Sequence, residues 1–297
     1  MKKRVKKTRR RDALIEDFIL SLYLIKKSPL SLAGLIIALT FFILGLIGPY
    51  IAPHDPLALS FKVELPPSLE HPFGTDFVGR DMLSRVLHAT SLSLRISMTV
   101  VFLSSVFGVL FGVIAGYSGG RVDELIMRVT DVFLAVPALL LAIAIGAVLG
   151  PSIENTILAI AIHWIPVYTR LVRSVTLVVR ESEYVKAARA MGAKRIFIIT
   201  NHVIPNSLTP ILTIATLDIG AVILIAATLS FIGLGAQPPT PELGLMVAEG
   251  REGFPFSWWM SVIPGLMVFI ITLGYNLLGD ALRDIFDPKT RRRIEVD

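Results

Sequence analysis

Two residues stand out for the chemistry they could do where they lie. Asp218 falls inside an apolar run near 207 to 235, and His163 inside another near 154 to 172. An ionisable side chain in hydrocarbon is costly and is expected to face a cavity, a polar partner or an ion path. Both residues can line a route across a membrane. Asp218 can equally hydrogen-bond to a neighbouring subunit, and His163, beside Trp164, can be a neutral packing residue. A third group, Asp76, Arg80 and Asp81, lies in the run GTDFVGRD among the turn-forming Gly74 and Gly79. It reads as a contact for an external partner or an outer gate, or as an Asp-Arg network that pins its own segment. Arg128 and Asp131 are three apart at the entrance to an apolar run, a spacing that suits an ion pair at a membrane surface. No paired carboxylates, H-E-x-x-H, nucleophile elbow or G-x-x-x-x-G-K-[ST] phosphate loop occurs, so neither enzymatic chemistry nor nucleotide binding is expected of the chain. With no cysteine, disulfides and thiolate metal sites are excluded, and no metal site is expected.

The elements that must hold these residues are helices in a bilayer. The 297 residues are 54% hydrophobic and 18% charged, with mean hydropathy +0.70, well beyond a soluble balance. Apolar runs near 30 to 52, 93 to 117, 131 to 149, 154 to 172, 207 to 235 and 259 to 279 suit spans of roughly 20 residues. Six crossings are therefore predicted, in an all-α polytopic membrane protein. The first run follows a long basic head and lacks a small-residue cleavage site, so it reads as a retained span.

Lys and Arg mark the cytoplasmic face, because basic loops translocate poorly. The head (Lys2 to Lys27), the loop from Arg170 to Arg195 and the tail from Lys289 fall on one face, whereas 53 to 92 carries Asp55, Glu64, Glu70, Asp76 and Asp81. Both termini are thus expected in the cytoplasm. The net charge of +6 is then a topology signal; its cations flank spans and lack interleaved aromatics, which argues against a nucleic-acid partner. Residues 13 to 25 suit an interfacial helix on membrane lipid. The expected organisation is a basic head at 1–29, a first span at 30–52, an extracellular segment at 53–90, a five-helix core at 91–285 and a tail at 286–297.

A cytoplasmic insert, YVKAARAMGAKRIFIITNHVIPN (184 to 206), lies between two of these runs. Tyr184, Ala187, Ala188 and Met191 are spaced to share one helical face, with Lys186 and Arg189 pointing elsewhere. Gly192 suits a left-handed cap, and a second short helix bearing Ile196, Ile199 and Val203 on one side should stop at Pro205. An alanine face lets another backbone come close; docking to a partner, folding back on the bundle and lying on lipid headgroups all fit it. Gly108, Gly112 and Gly116, four apart, allow close helix packing, and Pro166 and Pro264 interrupt their spans.

Lys186-Ala-Ala, three residues, Gly192, nine residues, then His202-Val-Ile204-Pro205 resembles the EAA loop of ABC importer permeases, E-A-A, three residues, G, nine residues, I-x-L-P. Lys186, His202 and Ile204 stand where the pattern has Glu, Ile and Leu. HPFGTDFVGRDMLSRVL (71 to 87), GYSGGRVDELIMRVTDVFLAVPALLLAI (116 to 143), LSFIGLGAQPPTPELG (229 to 244) and NLLGDALRDIFDPK (276 to 289) are similar to the second membrane subunit, the C type, of the peptide and nickel branch. Ala226 and Ile225 stand where that branch often has an acid before LSF, so that acid's role does not transfer. The resemblance implies a type I permease fold that works with a homologous second permease subunit, two ATPase subunits that hold ATP and Mg, and an extracellular solute-binding protein. It implies that the loop 180–206 couples to the ATPase through Tyr184, Ala187, Ala188, Arg189, Met191 and Gly192, with Arg189 or Lys186 pairing with acidic residues of the ATPase groove. By family frequency it implies a dipeptide or oligopeptide substrate, with nickel or an oligosaccharide as alternatives. An ion-driven secondary transporter is the competing class; it would want paired broken helices and a mid-membrane acidic cluster, where Asp218 and His163 stand alone.

Overall fold

The computed structural model describes residues 28–59 and 61–286, so the basic head, the expected interfacial helix at 13 to 25 and the tail lie outside the described residues. Helices make up most of the described residues, and no strand occurs among them. In chain order they are α1 (Pro29–Ile51), α2 (Met82–Ser118), α3 (Gly120–Leu134), α4 (Ala138–Leu149), α5 (Ile153–Arg180), α6 (Glu183–Ala190), α7 (Arg195–Ile198), α8 (Ile204–Phe231), α9 (Leu243–Gly250) and α10 (Trp259–Phe286).

Four of these helices are long and apolar enough to cross a membrane by themselves: α1, α2, the α7–α8 rod and α10. The expected span at 131 to 149 is instead two helices, α3 and α4, bent by 89° at the break before Pro137, and counts as a fifth only if the pair is one span. Proline disfavours helix at the residue before it, which explains the break. The remaining expected span, at 154 to 172, lies in α5, which has 28 residues but carries Glu154, Arg170, Arg173 and Arg180.

The second helix starts eleven residues before the apolar run that announced it. Asp81 caps α2, its carboxylate accepting a hydrogen bond from the Ser84 backbone N–H at 2.8 Å. At 1.5 Å per residue the 37 residues reach about 55 Å, beyond both edges of a roughly 30 Å core. Residues 82 to 92, assigned from sequence to a loop, therefore form its first turns; Arg85 and His88 hid them by interrupting the apolar pattern.

Close backbone approach joins the helices into one body. A Cβ on Gly112 would stand 2.7 Å from the Thr169 carbonyl oxygen, and Gly108 and Gly116 face Tyr168 and Thr176 in the same way, so α2 and α5 pack along this row. Gly34 of α1 meets Leu277 of α10, and Gly279 of α10 meets Leu217 of α8. One core centres on α2, α5 and α8 around Val100, Ile160, Tyr168 and Val172; a second joins α1, α2, α8, α9 and α10 around Phe41, Val86, Leu243 and Tyr275. Pro166 and Pro264 lie inside continuous helices.

Candidate functional site

The insert folds into a helical hairpin at one end of the bundle. Just past the end of α6 stands Gly192, whose φ is +85°, with Ala193 N–H donating to the Ala188 carbonyl (3.0 Å) and Gly192 N–H to the Arg189 carbonyl (2.9 Å). This is the bonded form of a left-handed glycine cap. No atom lies within 4 Å of where a Cβ would stand on Gly192, so the backbone conformation alone selects glycine.

The two sides of α6 divide differently from the spacing argument. Val185 and Ala188 are buried against the chain's own bundle. Tyr184 (49% exposed), Ala187 and Met191 (83%) look outward with Lys186 and Arg189, and Lys186 Nζ pairs with Glu183 at 3.1 Å. Ala188 therefore seats the helix, and the outward face holds Tyr184, Ala187 and Met191.

The second helix of the hairpin does not stop at Pro205. It passes through a wide turn, Ile199–Val203, and runs on as α8, with Pro205 in the first turn where a missing N–H is tolerated. The wide turn bonds its backbone five residues apart, Ile204 N–H to the Ile199 carbonyl, and is wound more loosely than an α-helix; Ile198 and Val203 share the buried side, and Ile196 (65% exposed) and Phe197 (49%) face outward. Sequence spacing had grouped Ile196 with Val203, because it assumed the ordinary helical period. Tyr184 and Phe197 both approach the His202 ring, at 5.4 and 5.9 Å between centroids.

Two contacts fix the hairpin to the end of α2, and a third ties the end of α5 to the same place. Arg189 and Arg195 lie over the Tyr117 ring at 5.5 and 5.2 Å, and Arg180 Nη1 donates to the Gly116 carbonyl at 2.8 Å. These side chains edge a cleft of about 440 Å³ with Glu181 and Ala193. Arg189, expected to pair with an acidic partner, is thus engaged with an aromatic ring of its own chain. Nearby, Arg173 pairs with Asp123 through both carboxylate oxygens, Arg170 with Asp131, and Arg128 with Glu124. The expected Arg128–Asp131 pair is replaced by these, because four residues suit the helix better than three here and Asp131 reaches across to α5.

Asp218 and His163 stand apart. Asp218, half-buried on α8, points toward Tyr168 and Trp164 of α5 without closing a well-formed hydrogen bond; its Oδ2 and the Tyr168 hydroxyl are buried without partners. His163 Nδ1 is likewise unpartnered, its ring 5.3 Å from that of Trp164.

At the end of the bundle opposite the hairpin, Asp76, Arg80 and Asp81 are buried in their own chain. Asp76 accepts from Arg80 Nε at 2.6 Å and from the backbone N–H groups of Val78 and Arg80. Arg85 donates to Glu249 of α9 at 2.9 Å and approaches Asp76 at 3.7 Å. Asp81 accepts from Ser84 and lies 3.0 Å from His71 Nδ1. Burial opposes ionisation of Asp81, but the Ser84 and His71 hydrogen bonds and the nearby His54 hold its carboxyl below the usual value. Burial pushes Glu249 up against the pull of Arg85 and Arg80. Of the two readings of GTDFVGRD, this geometry carries the pinning network, since buried side chains offer nothing to an external partner. Arg85 and Glu249 were missed; 164 residues separate them, and only the fold brings them together.

Comparison with known proteins decides which kind of bundle this is. The family described as "Binding-protein-dependent transport system inner membrane component" matches residues 108–292, and the "N-terminal TM domain of oligopeptide transport permease C" matches residues 21–67. The chain belongs to this family of ABC importer permeases. The probable D,D-dipeptide transport system permease DdpC of Escherichia coli K12 is 46% identical to it over 90% of each chain. The dipeptide permease DppC of Alkalihalophilus pseudofirmus is 43% identical over 90% of this permease and 88% of its own length. In fold, the permease is similar to a chain of the inward-facing MetNI methionine ABC transporter, with a TM-score of 0.54 at 18% identity, covering 69% of this permease and 98% of that chain. The permease is a multi-pass membrane transport subunit.

A side chain at Gly192 isolates the hairpin's angle from its surface. Gly192→Val places a β-branched residue at positive φ, costing about 1–3 kcal/mol locally. The expected outcome is normal abundance of the permease in membranes with uptake lowered several-fold, measured as transport per permease molecule.

Proposed function

We propose that this permease is the C-type membrane subunit of a peptide importer, pairing with a homologous second permease to form half of the translocation pathway. Two separate ATPase subunits supply ATP hydrolysis and bind ATP and Mg, and an extracellular binding protein delivers dipeptides or oligopeptides. The names of the relatives support the substrate class. In this reading six crossings leave both termini and the hairpin in the cytoplasm.

The observation that carries the reading is the outward face of the hairpin. Tyr184, Met191, Ile196 and Phe197 form an exposed apolar surface on a loop that basic residues flank, around the small Ala187. Such a surface marks a protein contact. Through Val185 and Ala188, and through Arg189 and Arg195 on Tyr117, a push on that face reaches α2 and α8 as rigid rods. Closure of the ATPase pair would draw the two permeases' hairpins together and exchange inward-open for outward-open states. Asp218 and His163 line the pathway in this reading, as polar groups at mid-span with unspent hydrogen-bonding capacity.

Reconstitution with the ATPase and binding-protein partners in vesicles tests it. Dipeptide uptake should require ATP and persist when ion gradients are collapsed. Uptake that follows an ion gradient without ATP would replace the reading with a secondary transporter, and uptake of nickel or oligosaccharide in place of peptide would replace the substrate class.

A further inference from the structure

We propose that His54, His71 and Asp81 form a binding site for one divalent transition-metal ion of the zinc type, at the end of the bundle opposite the hairpin. No sequence motif announces it. His54 follows the end of α1, His71 lies in the connecting segment and Asp81 caps α2, yet one donor atom from each lies within 4.8 Å of the others. Among the described residues no other group of three His, Cys, Asp or Glu donors comes together in this way.

Part of the cluster has an ordinary explanation. His71 Nδ1 at 3.0 Å from Asp81 Oδ1 is an imidazole–carboxylate bond that pins the segment, and Asp81 Oδ2 is held by the Ser84 N–H and hydroxyl at 2.8 and 2.7 Å. His54 has no such account. Its Nδ1 is buried without a hydrogen-bond partner and points at the same carboxylate from 3.7 Å, although a third of its side chain is exposed. Phe61 packs against both imidazoles, at 4.7 and 4.5 Å between centroids, and walls one side of the group with an apolar ring.

The donor set selects the ion. Two imidazole nitrogens and one carboxylate oxygen, with water in the fourth position, suit zinc at bond lengths of about 2.0–2.2 Å. Calcium and magnesium want six or more oxygens and are disfavoured here. The positive end of the α2 dipole also opposes a cation that is held by charge alone, so strong nitrogen donors are needed. Binding requires His71 to carry its proton on Nε2, which frees Nδ1 for the metal while Asp81 Oδ1 turns from accepting that proton to ligating. The partly exposed His54 closes the remaining distance by side-chain rotation, and Ser84 orients the carboxylate from behind. The bound ion would staple the end of α1, the connecting segment and the start of α2 together.

The test uses the assembled transporter in lipid nanodiscs, stripped by a chelator and titrated with zinc alone, comparing wild type with His54→Ala. That substitution leaves the Ser84 cap and the His71 bond in place, so both proteins should melt alike without metal. Wild type should bind one zinc more per permease chain than the variant, and zinc should raise only the wild-type melting temperature. Cobalt(II) should give tetrahedral visible bands in wild type that the variant lacks. Equal zinc stoichiometry in the two proteins, or wild type without a cobalt spectrum, would overturn the site, and the cobalt result reads the wild type directly even if the variant misfolds.

Discussion

Ala187→Trp should leave the permease inserted and abundant while lowering ATP-driven uptake about tenfold or more, a loss of about 1.4 kcal/mol or more in effective coupling. Ala187 sits between Tyr184 and Met191 on the outward side of α6 and touches none of the chain's own core. Its small size matters to whatever approaches from outside, and an indole there holds the partner off. Ala188→Trp is the contrast. Ala188 is 9% exposed and faces the bundle beside Val185, so overpacking there should cost about 1–3 kcal/mol and show as lost abundance. Uptake in proteoliposomes, normalised to permease content by immunoblot, separates the two lesions. Equal uptake by Ala187→Trp and wild type would mean that the outward face carries no coupling.

Removing Arg85 should be the most damaging single change to stability. Arg85 is 1% exposed and shares a buried quartet with Arg80, Asp76 and Glu249, two positive and two negative charges in balance. Arg85→Ala leaves Glu249 with only the 3.5 Å contact to Arg80, and strands one negative charge in the interior. Breaking one partner out of such a group costs about 3–5 kcal/mol, whereas replacing a whole pair with neutral groups of similar size is far milder. Arg85→Met combined with Glu249→Gln should therefore recover much of the loss, since Arg80 and Asp76 then remain as a neutral pair. Thermal melting in detergent and membrane abundance measure both. A single mutant as stable as wild type would show that the quartet does not hold α9 to α2.

Several features of this architecture are visible in a single sequence for definite reasons. The apolar runs announce α1, α8 and α10 because hydrocarbon tolerates little else along a span. Gly192 is legible because one backbone conformation selects glycine, and the row of Gly108, Gly112 and Gly116 because close packing needs the absence of a side chain. The start of α2 was hidden since Arg85 interrupts its apolar pattern, and nothing local says that Arg85 is buried and neutralised by a residue far along the chain. The 89° bend before Pro137 and the wide turn at Ile199–Val203 change direction and phase, and both lie beyond a fixed helical period. Spacing could group Tyr184, Ala187, Ala188 and Met191, yet only the packed neighbours reveal that Ala188 faces inward and that Phe197 joins the outer surface. His54, His71 and Asp81 converge from three separate pieces of chain, so their meeting is a property of the fold alone.

The chain has no cysteine, so a single Met191→Cys introduces one defined attachment point at the most exposed large apolar residue of the hairpin. Short-range cross-linking from that thiol in intact membranes, with the captured protein identified by mass spectrometry, is the most direct measurement of what the hairpin touches. The account expects an ATPase subunit in the cross-linked product, in a yield that changes when nucleotide closes the ATPase pair. A hairpin that captures only lipid, or only its own chain, while the transporter still imports its substrate would contradict it.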